Sequence, residues 1–187
     1  QTVKLLILDR DGVINVDSDA FIKSVSEWVP IPGSIEAIAA LSQAGYSVYI
    51  ATNQSGLGRG LFGLRELEEI HRRLEQLVAA AGGEIAGIFY CPHAPDEGCD
   101  CRKPAPGLIR QIEAHAGTRA LGAPVIGDSL RDLEAGLALG CRPVLVRTGK
   151  GEQTLRALES SAAPLLKTLA VFDDLAAAAK AIVAGDW

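Results

Sequence analysis

Val3 to Leu8 is a short, almost unbroken apolar run that stops abruptly at Asp9. It is too short for a helix, and continuous apolar character suits a strand covered on both faces of a sheet. The same pattern recurs at Ser47–Ala51 before Thr52, at Ile85–Tyr90 before a Cys/His/Pro loop, at Pro124–Ile126 before Gly127-Asp128, and at Pro143–Val146. A sixth strand is expected near Leu169–Phe172. The intervening segments change to a helical period. Leu64 to Ala81 places Leu67, Ile70, Leu74, Leu77 and Val78 on one face and ends at Gly82-Gly83. Further helices are expected from Pro32 to Ala44, with Ser34 as cap and Gly45 as stop, from Pro106 to about Ala116, from Leu130 to Leu139, and in the Ala-rich C-terminal segment.

Strands alternating with helices imply βαβ units and a mostly parallel sheet covered on both faces. No repeat or linker divides the 187 residues, so one domain over 1–187 is expected. Polar clusters follow four strand ends: Asp9, Thr52, the loop after Tyr90, and Asp128. In open α/β sheets that edge is where ligands bind.

On the extended chain Asp9 and Asp11 point to one side, and Gly12 lets the backbone turn away. Two carboxylates that close need a proton or a cation between them. Asp128 adds a third at the end of another strand, in an oxygen-rich set suited to Mg²⁺. Asp132 lies one helical turn later and can orient neighbours or simply face solvent at a helix start. Thr52 and Asn53 offer a hydroxyl, an amide and backbone N–H groups to phosphate oxygens, and Gly56, Gly58 and Gly60 are expected to keep the next stretch flexible. Arg102 and Lys103 suit a phosphate dianion. Asp9, Asp128 and a phosphate dianion carry charge that Mg²⁺, Lys103 and Arg102 balance. The whole scheme requires the side chains of Asp9 and Asp128 to reach one ion.

Three of the four cysteines crowd together, in Cys91-x-His93-x5-Cys99-x-Cys101. Three thiolates and an imidazole suit tetrahedral Zn²⁺, and a ligand set supplied wholly by protein suits a structural site. A disulfide framework would spread its pairs. Cys141 reads as a small buried apolar residue, and His71 and His115 as helix-surface residues. Lys+Arg 18 against Asp+Glu 23 gives a net charge of −5, which argues against a general nucleic-acid binder but not against a small phosphate ligand. No apolar run reaches the ~18 residues of a membrane span, and no signal peptide is evident, so a cytoplasmic protein is expected. The chain has no Met, so Gln1 is expected to follow a trimmed start.

Taken in order, these motifs resemble the haloacid dehalogenase (HAD-like) superfamily of phosphohydrolases. Asp9-Arg-Asp11-Gly is similar to its first motif, Thr52 to its second, Lys103 to its third, and Gly127-Asp128-Ser-Leu-Arg-Asp132 to its fourth. The zinc loop with Arg102-Lys103-Pro-x-Pro-Gly, the upstream Thr52-Asn-Gln-Ser-Gly, and Val146-Arg-Thr-Gly-Lys150 narrow the resemblance to the D,D-heptose 1,7-bisphosphate phosphatases, over about Val3 to Lys150. Ser129 stands where some members carry Lys, which leaves the charge-neutralising role to Lys103.

The resemblance implies a Rossmannoid three-layer α/β sandwich with no large cap domain and a zinc-clipped loop. It implies an Mg²⁺-dependent phosphatase removing the C7 phosphate of D-glycero-D-manno-heptose 1,7-bisphosphate, for activated heptose in lipopolysaccharide or glycoconjugate synthesis. Asp9 would be nucleophile and Asp11 general acid and base. Thr52, Asn53, Arg102 and Lys103 would hold substrate. Asp9, the Asp11 carbonyl and Asp128 would hold Mg²⁺. Arg59 is a further candidate for substrate contact. A small sugar phosphate is the expected partner, with no nucleic acid, no membrane and a monomeric state. The histidinol-phosphate phosphatases share most of these features and remain the nearest alternative, with a non-catalytic sugar-phosphate binder beyond them.

Overall fold

The structure is a computed structural model that describes residues 3–187. Gln1, and with it the expectation about a trimmed start, lies outside the described residues. Six strands form one sheet: β1 (Lys4–Leu8), β2 (Tyr46–Asn53), β3 (Gly87–Cys91), β4 (Pro124–Gly127), β5 (Arg142–Val146) and β6 (Ala170–Phe172). The order is β3-β2-β1-β4-β5-β6, and every neighbouring pair is parallel. Each expected strand is present, displaced by two residues at most.

Alternation inside the apolar runs builds two cores. Leu6 and Leu8 face one side, with Val48, Ile50, Ile126 and Val144, under α1 (Ser34–Gln43), α3 (Leu64–Ala80) and α7 (Leu175–Ala184). Leu5 and Ile7 face the other, with Tyr49, Ala51 and Val125, under α4 (Gly107–Ala116) and α5 (Leu130–Leu137). A central strand must be apolar at every position because both of its faces are covered. Cys141 is buried in the second core, as expected.

Three local expectations need correction. Ser34 does not cap α1. Gly33 occupies the cap position at φ 85°, and the Ser34 hydroxyl donates to the Ile14 carbonyl at 2.6 Å, tying the helix to the loop after β1. The short helix α2 (Ser55–Gly58) and the helix α6 (Gly151–Ser160) were not foreseen, since neither carries a long apolar period. Gly56 and Gly58 are not hinges. A Cβ at Gly56 would collide with the Phe62 ring, and one at Gly58 would lie 2.5 Å from the Pro92 carbonyl oxygen, so the absence of side chains lets α2 press against the cysteine loop.

Candidate active site

β1, β2 and β4 end side by side, so Asp9, Thr52 and Asp128 come together although they are far apart in sequence. A pocket of about 260 Å³ opens there, lined by Asp9, Asp11, Thr52, Lys103, Asp128 and Asp132. Oxygens of Asp9, Asp128 and Asp132 lie within 4.8 Å of one another. The requirement that Asp9 and Asp128 reach a common ion is therefore met.

Lys103 organises this cluster. It is 4% exposed, and its Nζ donates to Asp9 Oδ1 at 3.0 Å, Asp132 Oδ1 at 2.6 Å and the Ala51 carbonyl at 2.8 Å. Burial alone would lower its pKa, but Asp132 and Asp9 outweigh burial and hold the ammonium charged. Asp132 is the orienting residue of the two alternatives. Its second oxygen accepts from the Ser129 amide at 3.2 Å and hydroxyl at 3.0 Å, closing the first turn of α5.

Asn53 lines the pocket and also makes contacts that the sequence did not announce. Its amide brackets the Lys103 backbone, Oδ1 accepting from the Lys103 N–H at 3.0 Å and Nδ2 donating to the Lys103 carbonyl at 3.1 Å. The side chain thus holds the Lys103 backbone in place. Thr52 is buried at the pocket floor, where Gln54 Nε2 donates to its Oγ1 at 3.0 Å. That bond occupies an acceptor lone pair and leaves the Thr52 O–H free to donate into the pocket.

Asp11 accepts from Arg10 Nε at 2.8 Å, Asn15 Nδ2 at 3.0 Å and Gln54 Nε2 at 3.1 Å. Burial pushes its pKa up, but the Arg10 charge and these hydrogen bonds prevail and hold it below the usual range. Asp9 and Asp128 show the opposite behaviour. Burial and neighbouring carboxylates, Asp132 first, push Asp9 well up against the pull of Lys103. Burial and Asp132 likewise push Asp128 up to about 7, despite the Lys150 N–H that donates to its Oδ2 at 2.9 Å.

With all four ionised, Asp9, Asp11, Asp128 and Asp132 would exceed the buried cations Arg10 and Lys103 by two charges, and the upward shifts of Asp9 and Asp128 express that repulsion. A divalent cation fits that excess and the hard oxygen donors around it. The backbone leaves room for these groups only because Gly12 and Gly149 have no side chain. A Cβ on either would strike Asp128 Oδ2.

The cysteine loop follows β3. Cys101 Sγ lies 2.9 Å from Cys91 Sγ and 3.2 Å from His93 Nδ1, and Cys91 Sγ lies 3.5 Å from both Cys99 Sγ and His93 Nδ1. All four atoms fall within 4.8 Å, and the cysteines are free thiols. The cluster suits one soft metal ion bound wholly by protein.

The mouth of the pocket carries groups that the sequence analysis did not single out. Arg131, the second residue of α5, joins Arg59 and Arg102 there. Burial and the charges of Arg131 and Arg59 lower the Arg102 pKa, and Arg102 Nη1 is buried without a hydrogen-bond partner. A cation near a helix N-terminus opposes the helix dipole, and that was the available signal for Arg131. The opposite wall comes from Asp17, Ser18, Asp19, Phe21 and Ile22. His71 corrects an expectation. It lies under the site, 7% exposed, rather than on the helix surface, whereas His115 is exposed.

Comparison with known proteins gives consistent relatives. Residues 4–124 match the family model described as polynucleotide kinase 3 phosphatase, and residues 100–178 match that of HAD-hydrolase-like proteins. The chain is 58% identical over 179 residues to the D-glycero-beta-D-manno-heptose-1,7-bisphosphate 7-phosphatase of Pseudomonas aeruginosa, covering 96% of this chain and 97% of that protein. It is 50% identical over 181 residues to the protein of that name from Bordetella bronchiseptica, covering 97% and 98%. The crystal structure of D,D-heptose 1,7-bisphosphate phosphatase from B. bronchiseptica, complexed with magnesium and phosphate, superposes with a TM-score of 0.91 at 49% identity, covering 98% of this chain and 99% of that one. The corresponding structure from Burkholderia thailandensis gives 0.73 at 44% identity, covering 96% and 98%.

Proposed function

The chain belongs to the D-glycero-beta-D-manno-heptose-1,7-bisphosphate 7-phosphatases of the HAD-like hydrolases, and from that membership we propose that its pocket hydrolyses the C7 phosphate of this bisphosphate to leave the 1-phosphate. The observation that carries the residue roles is the Lys103 ammonium bridging Asp9 and Asp132 beside Asp128.

Asp9 attacks phosphorus and becomes an aspartyl-phosphate, a recognised covalent route for carboxylates. Lys103 fixes one Asp9 oxygen and offsets charge on the transferring group. Thr52 donates its hydroxyl to a phosphoryl oxygen. Asn53 acts through the Lys103 backbone. Asp11 gives a proton to the departing C7 oxygen and then takes one from the hydrolytic water. Arg10 and the hydrogen bonds on it hold its carboxylate ionised, which suits the second role directly. A bound phosphate dianion raises its proton affinity for the first. Asp9, Asp128 and the Asp11 carbonyl would hold Mg²⁺, which would supply charge neutralisation for phosphate and nucleophile. Zn²⁺ is the ion assigned to Cys91, His93, Cys99 and Cys101.

Arg59, Arg102 and Arg131 take the second phosphate of the substrate, supported by the unpaired Arg102 Nη1. A trio of guanidiniums favours a bisphosphate over histidinol phosphate, whose ammonium they repel. One sheet running from β1 to β6 supports a single domain. Converging free thiols support a reducing, cytoplasmic setting.

The test is steady-state phosphate release from heptose 1,7-bisphosphate and from histidinol phosphate. The parent should prefer the bisphosphate. Asp9→Asn should abolish turnover while keeping the parent melting curve. Retained phosphate release by that variant would remove Asp9 as nucleophile.

A further inference from the structure

Arg10 sits between the two pocket aspartates, yet its side chain turns away from the pocket and is 0% exposed. A buried guanidinium is costly unless its donors find partners. Its Nε donates to Asp11 Oδ1 at 2.8 Å, and Nη2 lies 2.8 Å from the same oxygen without an aligned hydrogen bond. On the far side Nη1 lies 3.1 Å from Nε2 of His71. A guanidinium has only donors, so Nε2 accepts and the imidazole proton sits on Nδ1. The His71 ring is held in turn beside Tyr90 of β3, with 6.1 Å between ring centroids. His71 has no part in the chemistry proposed above, and Arg10 enters it only through its charge and hydrogen bond on Asp11.

The consequence lies at Asp11. Its Oδ1 takes Arg10 and Asn15, whereas Oδ2 takes only Gln54 and retains a lone pair. Rotation of a carboxylate about its last torsion has a broad minimum, so the donors around it decide which oxygen faces substrate. Without an acceptor at His71, Nη1 would join Nη2 as a buried donor without an aligned partner, and the guanidinium would turn to satisfy them.

We propose that His71 is a positioning residue for the hydrolysis. By accepting from Arg10 it fixes the guanidinium, and the guanidinium fixes the Asp11 carboxylate with Oδ2 presented to the leaving oxygen. This rests on Asp11 being the leaving-group acid.

His71→Phe keeps an aromatic ring beside Tyr90 but removes the acceptor. Two substrates then separate positioning from bulk structure. The heptose oxygen needs a proton to leave, whereas p-nitrophenolate does not. The expected result for His71→Phe is a loss of roughly tenfold or more in kcat on heptose 1,7-bisphosphate. KM should stay near the parent value, and the first-turnover burst of p-nitrophenolate from p-nitrophenyl phosphate should keep its parent rate. His71→Gln restores an acceptor and should recover most of the turnover. Unchanged turnover on the bisphosphate, a proportional loss of burst and turnover, or a His71→Gln variant as poor as His71→Phe would each overturn the proposal. Should His71→Phe not fold, Arg10→Lys is read by the same split, since a lysine keeps the charge but cannot span Asp11 and His71. Asp11→Asn separates the two layers. If it turns over the bisphosphate normally, the acid assignment fails. If it is deficient while His71→Phe and Arg10→Lys are normal, only the positioning role fails.

Discussion

Single side chains in this pocket take their meaning from partners on other elements. Lys103 and Asp132 were legible as charges, but only contact distances separate the ammonium that neutralises Asp9 from the carboxylate that aims it. His71 gives the sharpest case, because helical spacing allowed a surface place and the structure puts it against a buried guanidinium. Burial, then the Arg10 charge, lower its pKa to about 3, against 6.5 for a free imidazole. Between those values the unfolded chain takes up a proton that the folded chain refuses. The stability this group contributes is complete above the unfolded value and is lost as pH falls toward 3. We expect His71→Gln to be less acid-sensitive than the parent by about 1–2 kcal/mol at pH 5 relative to pH 7. Urea midpoints at the two pH values check this, and equal shifts in both proteins would contradict it.

At the scale of elements, the short pieces matter most for the site. α2 and the cysteine loop carry little apolar surface, so burial alone does not hold them. Close backbone approach at Gly58 and the convergence of Cys91, His93, Cys99 and Cys101 are what the structure offers in its place. Protein prepared without chelator should carry about one zinc per chain, the stoichiometry of a closed four-ligand site. Its removal should expose the bonds between Cys91 and Cys101 to proteolysis while β1, β2 and β4 stay protected. Elemental analysis and limited digestion read both outcomes. The cluster itself was plain from its spacing, because ligands within one loop need no knowledge of the fold. Helix α6 was not, because its apolar residues are few and its contribution is a hydrogen bond, Thr154 Oγ1 to the Asp128 carbonyl at 2.8 Å.

For the whole molecule, strand order decides the chemistry. Placing β1 between β2 and β4 brings Asp9 beside Thr52 and Asp128, and it sets the N-terminal turn of α5 at the mouth, where Arg131 joins Arg59 and Arg102. Arg131→Ala should raise KM for the bisphosphate about tenfold or more, as expected for loss of a charge-assisted phosphate contact. It should leave kcat on p-nitrophenyl phosphate near the parent value. A parallel loss on both substrates would place Arg131 outside second-phosphate recognition. The sequence by itself determined the strands, the acidic tips at their ends and the clustered cysteines and histidine of one loop, because these are written in period, in punctuation and in spacing over a few residues. Tertiary structure alone decided that Asn53 clamps the Lys103 backbone, that Arg10 links His71 to Asp11, and that three arginines share one rim. Each depends on which strands are neighbours and in what register, and a hydrogen bond between residues fifty apart is set by that long-range geometry, not by local pattern.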